Sequence, residues 1–339
     1  MANTKIGLIG CGKQAPKHIS GLLKISGVEV VVADVDSGRA EALAEAEGVA
    51  WVKDAEALFC DPGIAAIDVC TSTKSHGELI RRAVESGKDF MCEKPLCETV
   101  DEAHRLERLV ERSGRIGMVG YIYRFAPVFQ EAKRLFTESA VQGRSDALGE
   151  VVAAQFRIGG RGSHQLWKHR RDAGGGAINE MLVHMLDLAI WYFGPVDEAK
   201  LLVDTLLRPK RLIRGELHEV DAEDYVVVQL RMRNGVHVLC QADLLTPSFT
   251  QICEVQGDNG TFTGSIQADM PSFVYCVEPA GGYRAGKTNL DFGPRNLFEG
   301  QMAEFVRAVR TQTQPALCAI RDSVLLLEAL DMINSERRA

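Results

Sequence analysis

The 339-residue sequence has no excess of positive charge, no long apolar run, no CxxC pair and no internal repeat, and each absence removes a class of function. Lys and Arg number 39 against 46 Asp and Glu, a formal net charge of -7, so nothing draws the whole chain toward phosphate backbones or anionic lipid. Nucleic acid is not an expected partner, and any anionic ligand must be gripped by local groups. No apolar stretch reaches the roughly 18 residues of a spanning helix, so no membrane partner is expected. Met-Ala-Asn-Thr-Lys leads into a strand and not into the apolar region of a signal peptide, which points to a cytoplasmic location. The nine cysteines include Cys70, Cys92 and Cys240 inside apolar runs, where a thiol behaves as a small hydrophobe, as in a reducing compartment. Cys92 and Cys97 lack the second thiol pair or spaced histidine that a metal site needs, so no metal is expected.

What is present falls into two textures. To about residue 120, short β-branched runs (Ile6 to Ile9, Val28 to Asp34, Ala65 to Cys70, Asp89 to Cys92, Ile116 to Val119) alternate with amphipathic stretches such as Ser75 to Ser86 and Val100 to Glu111. That alternation predicts an α/β fold, a doubly wound parallel sheet covered by surface helices. Beyond it, Val151 to Ile158, Tyr225 to Met232, Val236 to Ala242 and Thr250 to Gln256 alternate apolar and polar residues, with Asn234-Gly235 and Asn259-Gly260 as hairpin turns. A second α/β domain on a large, open, mostly antiparallel sheet is expected. Two domains follow, residues 1–122 and 123–339, with the terminal helix, Ile320 to Asn334, a candidate to pack back on the first.

The first apolar run ends in Gly10-Cys11-Gly12-Lys13-Gln14-Ala15, followed by a helical stretch. Strand, glycine turn and helix form the setting in which backbone amides cradle a pyrophosphate, and Ala15 is small enough for close helix-to-strand packing. Asp34 ends the second run about 20 residues later, where a carboxylate accepts from ribose hydroxyls and repels a 2′-phosphate. NAD is therefore expected in preference to NADP, with Arg39 nearby as the one group that could pair with a phosphate. The competing interpretation makes the glycines a tight turn and Asp34 a helix cap.

Two further stretches carry a family resemblance. Thr71-Ser72-Thr73-Lys74-Ser75-His76, with Gly87-Lys88-Asp89-Phe90-Met91-Cys92-Glu93-Lys94-Pro95-Leu96, resembles the glucose-fructose oxidoreductase and inositol dehydrogenase (Gfo/Idh/MocA) family. So does Gly174-Gly175-Gly176-Ala177-Ile178-Asn179-Glu180-Met181-Leu182-Val183-His184-Met185-Leu186-Asp187. The resemblance implies a Rossmann domain joined to a substrate domain whose open sheet makes a homodimer or homotetramer. It also implies that Thr71, Thr73, His76, Glu93 and Lys94 line the cofactor, that Lys94 and His184 are catalytic with Glu180 the matching acid, and that Arg124 lines the substrate pocket. Two positions depart from the family pattern: Glu180 stands where Asp is usual, and Leu182 where glycine is usual.

The chemistry asks for such groups. Oxidising a secondary alcohol removes a hydroxyl proton as hydride leaves carbon, and histidine, with an ordinary pKa near 6.5, can take that proton and return it in reduction. On a regular helix Glu180, His184 and Asp187 would share one face, with a carboxylate orienting the imidazole and Asp187 within reach of substrate. Lys94, at the carboxyl end of a parallel strand, can stabilise alkoxide charge. Trp167 and Arg170, in Trp167-Lys168-His169-Arg170-Arg171-Asp172, could stack on a sugar ring and grip an acidic group. The expected activity is hydride transfer between NAD and a hydroxyl or carbonyl of a sugar, polyol (inositol-like) or sugar acid. The alternatives are an NAD-dependent glycosidase working by transient oxidation and elimination, and an NAD-binding regulator without chemistry.

Overall fold

The computed structural model describes residues 3–136, 143–161, 165–293 and 295–338. It divides into two compact units, one running to Phe125 and taking back Asn296–Leu327, the other holding Ala126–Arg295 and the chain from Glu328.

In the first unit the β-branched runs become parallel strands: β1 (Thr4–Ile9), β2 (Val28–Ala33), β3 (Ala50–Trp51), β4 (Ile64–Val69), β5 (Asp89–Cys92) and β6 (Gly117–Val119). Their spatial order is β3-β2-β1-β4-β5-β6, the doubly wound order whose switch point lies between β1 and β4. Between them run α1 (Ala15–Leu23), α2 (Ser37–Glu47), α3 (Ala55–Cys60), α4 (Thr73–Glu85) and α5 (Val100–Ser113). Side chains such as Ile6, Leu8, Val32, Ile67 and Phe90 are fully buried, as a sheet covered on both faces requires. Local chemistry starts the helices: the Asp36 carboxylate caps α2 by accepting from the amides of Gly38 and Arg39, and Thr99 caps α5 through Glu102 N.

The second unit carries α6 (Pro127–Leu135), β7 (Arg144–Ser145), β8 (Gly149–Gly159), α7 (Val183–Phe193), β9 (Val196–Thr205), β10 (Lys210–Ile213), β11 (Glu216–Glu219), β12 (Tyr225–Met232), β13 (His237–Asp243), β14 (Thr250–Gly257), β15 (Gly260–Gly264), β16 (Phe273–Cys276) and β17 (Gly286–Asn289). Nine strands make one sheet, ordered β17-β16-β15-β14-β8-β13-β12-β9 with β7 beside β8, while β10 and β11 form a separate ribbon. Both Asn-Gly turns close the expected hairpins, β12 to β13 and β14 to β15. The sheet is antiparallel except where β13 runs parallel to β8.

Two helices close the chain, α8 (Leu297–Thr311) and α9 (Ile320–Arg338). The amphipathic α8 packs on α1 within the first unit, although the sequence division left it with the second. Gly21 permits the approach: a Cβ there would lie 2.8 Å from the Phe298 carbonyl oxygen and from Met302. No helix among the described residues is long and apolar enough to cross a membrane.

Candidate active site

The nucleotide half is built where β1 turns into α1. Gly10 has φ +99, and a Cβ would come within 2.8 Å of the Cys70 carbonyl, so only glycine fits the turn. At Gly12 a Cβ would meet nothing within 4 Å: the backbone faces open space, a cradle that a side chain would fill. Lys13 is exposed beside it, Ala15 is buried as the first residue of α1, and Gln14 Oε1 is buried without a hydrogen-bond partner. The open backbone at Gly12 fits a bound dinucleotide phosphate group better than a closed turn, whereas the Gln14 oxygen, an acceptor, calls for a donor such as a hydroxyl.

Asp34 is half-buried just beyond β2, its carboxylate accepting from Cys11 N at 2.7 Å and Asp36 N at 2.9 Å. The α2 cap is Asp36, so Asp34 braces the glycine turn and its two oxygens keep acceptor capacity for ribose hydroxyls. Arg39 is exposed and pairs with Asp36 at 3.3 Å.

At the carboxyl ends of β4 and β5, Thr71 is half-buried and its hydroxyl accepts from Ser75 Oγ at 2.7 Å, while Thr73 opens α4. His76 is buried, with Nδ1 2.9 Å from the Pro95 carbonyl and Nε2 3.2 Å from that of Thr71, and burial pushes its pKa down. It ties the β4 loop to the Lys94-Pro95 loop. Lys94 is half-buried, and its backbone amide donates to its neighbour's Glu93 Oε2 at 3.2 Å. Glu93 is itself held from below: Oε1 lies 2.9 Å from His18 Nε2, and His18 Nδ1 lies 2.9 Å from Asp68 Oδ2. Burial would raise the Glu93 pKa, but the hydrogen bond and charge of His18 outweigh it, and the carboxyl stays below its ordinary range.

Arg124 belongs to a 3-10 turn, Ile122–Phe125, and its guanidinium is 2% exposed. It sits 2.7 Å from Asp322 of α9 and 5.4 Å from the Tyr121 ring centre, ties that anchor the turn inside the nucleotide unit.

In the second unit the candidate residues gather where the glycine-rich turn meets α7. Gly176 has φ +112, and a Cβ would strike the Glu223 carboxylate at 2.2 Å. Glu223 is buried, accepts from Ile178 N at 3.2 Å and pairs with Arg337 at 2.5 Å, placing negative charge at the head of the helical segment. Ile178–Leu182 is a π-turn, with Val183 N–H reaching back to Ile178 O before α7 begins. Regular helical spacing of Glu180, His184 and Asp187 therefore does not hold through this turn, and such wide turns recur at functional sites. Along α7, Met185 to Ile190 are buried, Asp187 among them, whereas His184 is half-buried and accessible at the first turn.

Glu180 makes a short ion pair with Lys168, side chains 12% and 23% exposed. Lys168 also lies 5.3 Å from the Trp167 ring centre. Trp167 is exposed and lines a cleft of about 330 Å³ with Gln165, Leu166, Ile213, Arg214, Glu216 and His218. Arg170 is exposed and forks onto Asp172 at 2.6 and 3.0 Å. Residues 162–164, which precede this stretch, lie outside the described residues.

Sequence reasoning missed His18, Asp68, Lys168 and Glu223. Asp68 carried a usable signal, a lone charge in a β-branched buried strand, which demands a partner. His18 carried a weaker one, since it shares the buried stripe of α1 with Ala15 and Leu22.

His169 is buried, and desolvation with the nearby Arg211 charge depresses its pKa from 6.5 to about 4. The unfolded chain takes up this proton near 6.5 and the folded chain only near 4, so stability falls as pH drops across that window. Thermal melts of the parent should lose stability more steeply than those of His169→Asn between these values; parallel slopes would contradict it.

Comparison with known proteins follows the same division. Residues 4–121 match the oxidoreductase family model, NAD-binding Rossmann fold, and residues 138–263 match the GFO/IDH/MocA C-terminal domain. The 1,5-anhydro-D-fructose reductase of Ensifer adhaerens is 27% identical over 317 residues, covering 91% of this chain and 89% of its own. Inositol 2-dehydrogenase 2 of Saccharopolyspora erythraea is 32% identical over 244 residues, 69% of this chain and 64% of its own. Among solved structures, levoglucosan dehydrogenase in complex with NADH and L-sorbose has a TM-score of 0.86 at 21% identity, covering 100% of this chain and 97% of that one, a likeness of fold.

Proposed function

Since this chain belongs to the GFO/IDH/MocA oxidoreductase family, whose first domain is an NAD-binding Rossmann fold, we propose that it moves hydride between NAD and a secondary hydroxyl or carbonyl of a sugar, polyol or sugar acid. The observation that carries the chemistry is His184. A histidine serving only the core would be buried like its neighbours, yet it alone on the first turn of α7 stays accessible, one turn after the Glu180–Lys168 pair.

The open backbone at Gly12 and the Asp34 carboxylate fit the pyrophosphate and ribose of NAD. NAD, when bound, supplies the hydride acceptor. His184 takes the hydroxyl proton in oxidation and returns it in reduction. Lys94 stabilises the alkoxide that develops as the proton leaves. Glu180, neutralised in part by Lys168, sets the electrostatic surroundings of the imidazole, and Trp167 offers an indole face to a sugar ring. The relatives named for inositol and 1,5-anhydro-D-fructose support a polyhydroxylated ring as substrate.

Mixing the protein with NAD and a panel of inositols, 1,5-anhydro sugars and aldonic acids should produce NADH with at least one of them, and NADP should serve less well. NADH formation with none of the panel, or faster turnover with NADP, would overturn the assignment. We further propose a cytoplasmic homo-oligomer assembled through the nine-stranded sheet, where Leu239 and Tyr275 stand 37% and 45% exposed.

A further inference from the structure

Beneath the Lys94 loop, entirely within the nucleotide unit, lies a buried charged cluster that the reaction itself does not touch. His18 of α1 is fully buried and is sandwiched between two carboxylates, with Asp68 2.9 Å from Nδ1 and Glu93 2.9 Å from Nε2. Cys70 Sγ lies 3.3 Å from Nδ1, and the Phe298 ring of α8 closes the other side with centroids 5.5 Å apart. Carboxylates only accept, so each ring nitrogen must carry a proton to satisfy both contacts. A neutral imidazole would leave one buried carboxylate facing a lone pair, which is costly in a dry interior.

His18, Asp68 and Cys70 have ligand atoms within 4.8 Å of one another, near enough for an ion. Yet both imidazole nitrogens sit at hydrogen-bond distance from carboxylates, so these groups satisfy each other.

The cluster leads outward in one direction. Glu93 is pinned by His18 through Oε1 and accepts the Lys94 amide through Oε2, so the carboxylate links α1 to the peptide that bears Lys94. We propose that His18 is a positioning residue for Lys94: an imidazolium strut between Asp68 and Glu93 that fixes the Glu93–Lys94 peptide and with it the direction of the Lys94 ammonium. Outer groups of this kind orient a reacting residue without meeting substrate, and removing them costs activity about 10- to 100-fold. The inference rests on Lys94 acting in the reaction.

The test uses the full chain in two measurements. In ¹⁵N-histidine-labelled protein without ligand, the His18 signal, identified by its loss in His18→Gln, should show both ring nitrogens protonated from about pH 6 to about pH 9, where a free histidine loses one. In turnover of the panel polyol oxidised by the parent, His18→Gln and Asp68→Asn should each lower kcat about 10- to 100-fold. Their NADH affinity, read by fluorescence titration, should stay within about twofold, and the double variant should cost no more than the worse single. If His18→Gln does not fold, Asp68→Asn carries the test. A singly protonated ring, a metal ion found in the cluster, unchanged kcat in the folded variants, or an equal loss of NADH affinity would overturn the strut. Lys94→Ala separates the two layers: full activity there defeats the role of Lys94, whereas an inactive Lys94→Ala beside a fully active Asp68→Asn defeats only the strut.

Discussion

Lys94→Ala should lose about 100- to 1,000-fold in kcat while NADH binding is little changed, the size of effect expected when a charge aimed at a developing oxyanion is removed. Lys94 follows Glu93 at the carboxyl end of β5, its amide donates to that carboxylate, and the chain continues through a cis bond into Pro95. The ammonium is a compact point charge on a flexible stem, whereas a guanidinium is a planar fork that needs a different span. Lys94→Arg should therefore restore little of the lost rate. The measurement is steady-state oxidation of whichever panel polyol is turned over, paired with NADH fluorescence titration. A Lys94→Ala enzyme with normal kcat would remove Lys94 from the chemistry, and one that no longer binds NADH would make it a cofactor ligand only.

His184→Asn should cost about 100- to 10,000-fold in kcat, the range for losing a positioned general base. Asparagine approximates the shape and keeps hydrogen bonding, but it cannot shuttle a proton at neutral pH. In oxidation the acidic limb of the kcat/KM profile should disappear with the base, because no group at that position then needs to be deprotonated. The surroundings sharpen the expectation: His184 is the accessible residue at the first turn of α7, where Val183 and Met185 to Ile190 are buried. A folded His184→Asn protein with the parent pH profile would assign the base to another side chain.

The periodic parts of the fold were legible in the sequence. Five β-branched runs became β1, β2, β4, β5 and β6, and both Asn-Gly turns closed hairpins, because period-two and period-3.6 patterns record which side of an element is dry. The parallel pairing of β13 with β8 and the return of α8 to α1 were not legible, since each depends on partners far apart in sequence.

At the site, the glycine turn and Asp34 were readable from spacing alone. The cap of α2 is Asp36, and Asp34 braces the glycine turn through Cys11 N. The π-turn at Ile178–Leu182 was invisible to a pattern that assumes a regular helix, so the partner of Glu180 was found only in three dimensions, as Lys168. Trp167 and Arg170 drew attention in that stretch, while Lys168 between them makes the ion pair. His18 and Asp68 escaped notice because each looks like an isolated oddity until β4, α1 and the end of β5 are brought together.

The central claim is that Lys94 and His184 serve one oxygen atom of a polyol while NAD takes hydride from its carbon. A crystal structure with NADH and a non-reacting polyol tests it most directly. The expected result has Lys94 Nζ and an imidazole nitrogen of His184 both within about 3 Å of the same substrate oxygen, with its carbon facing nicotinamide C4. A ring held elsewhere, with His184 or Lys94 beyond about 6 Å from the reacting oxygen and another group in its place, would contradict the account.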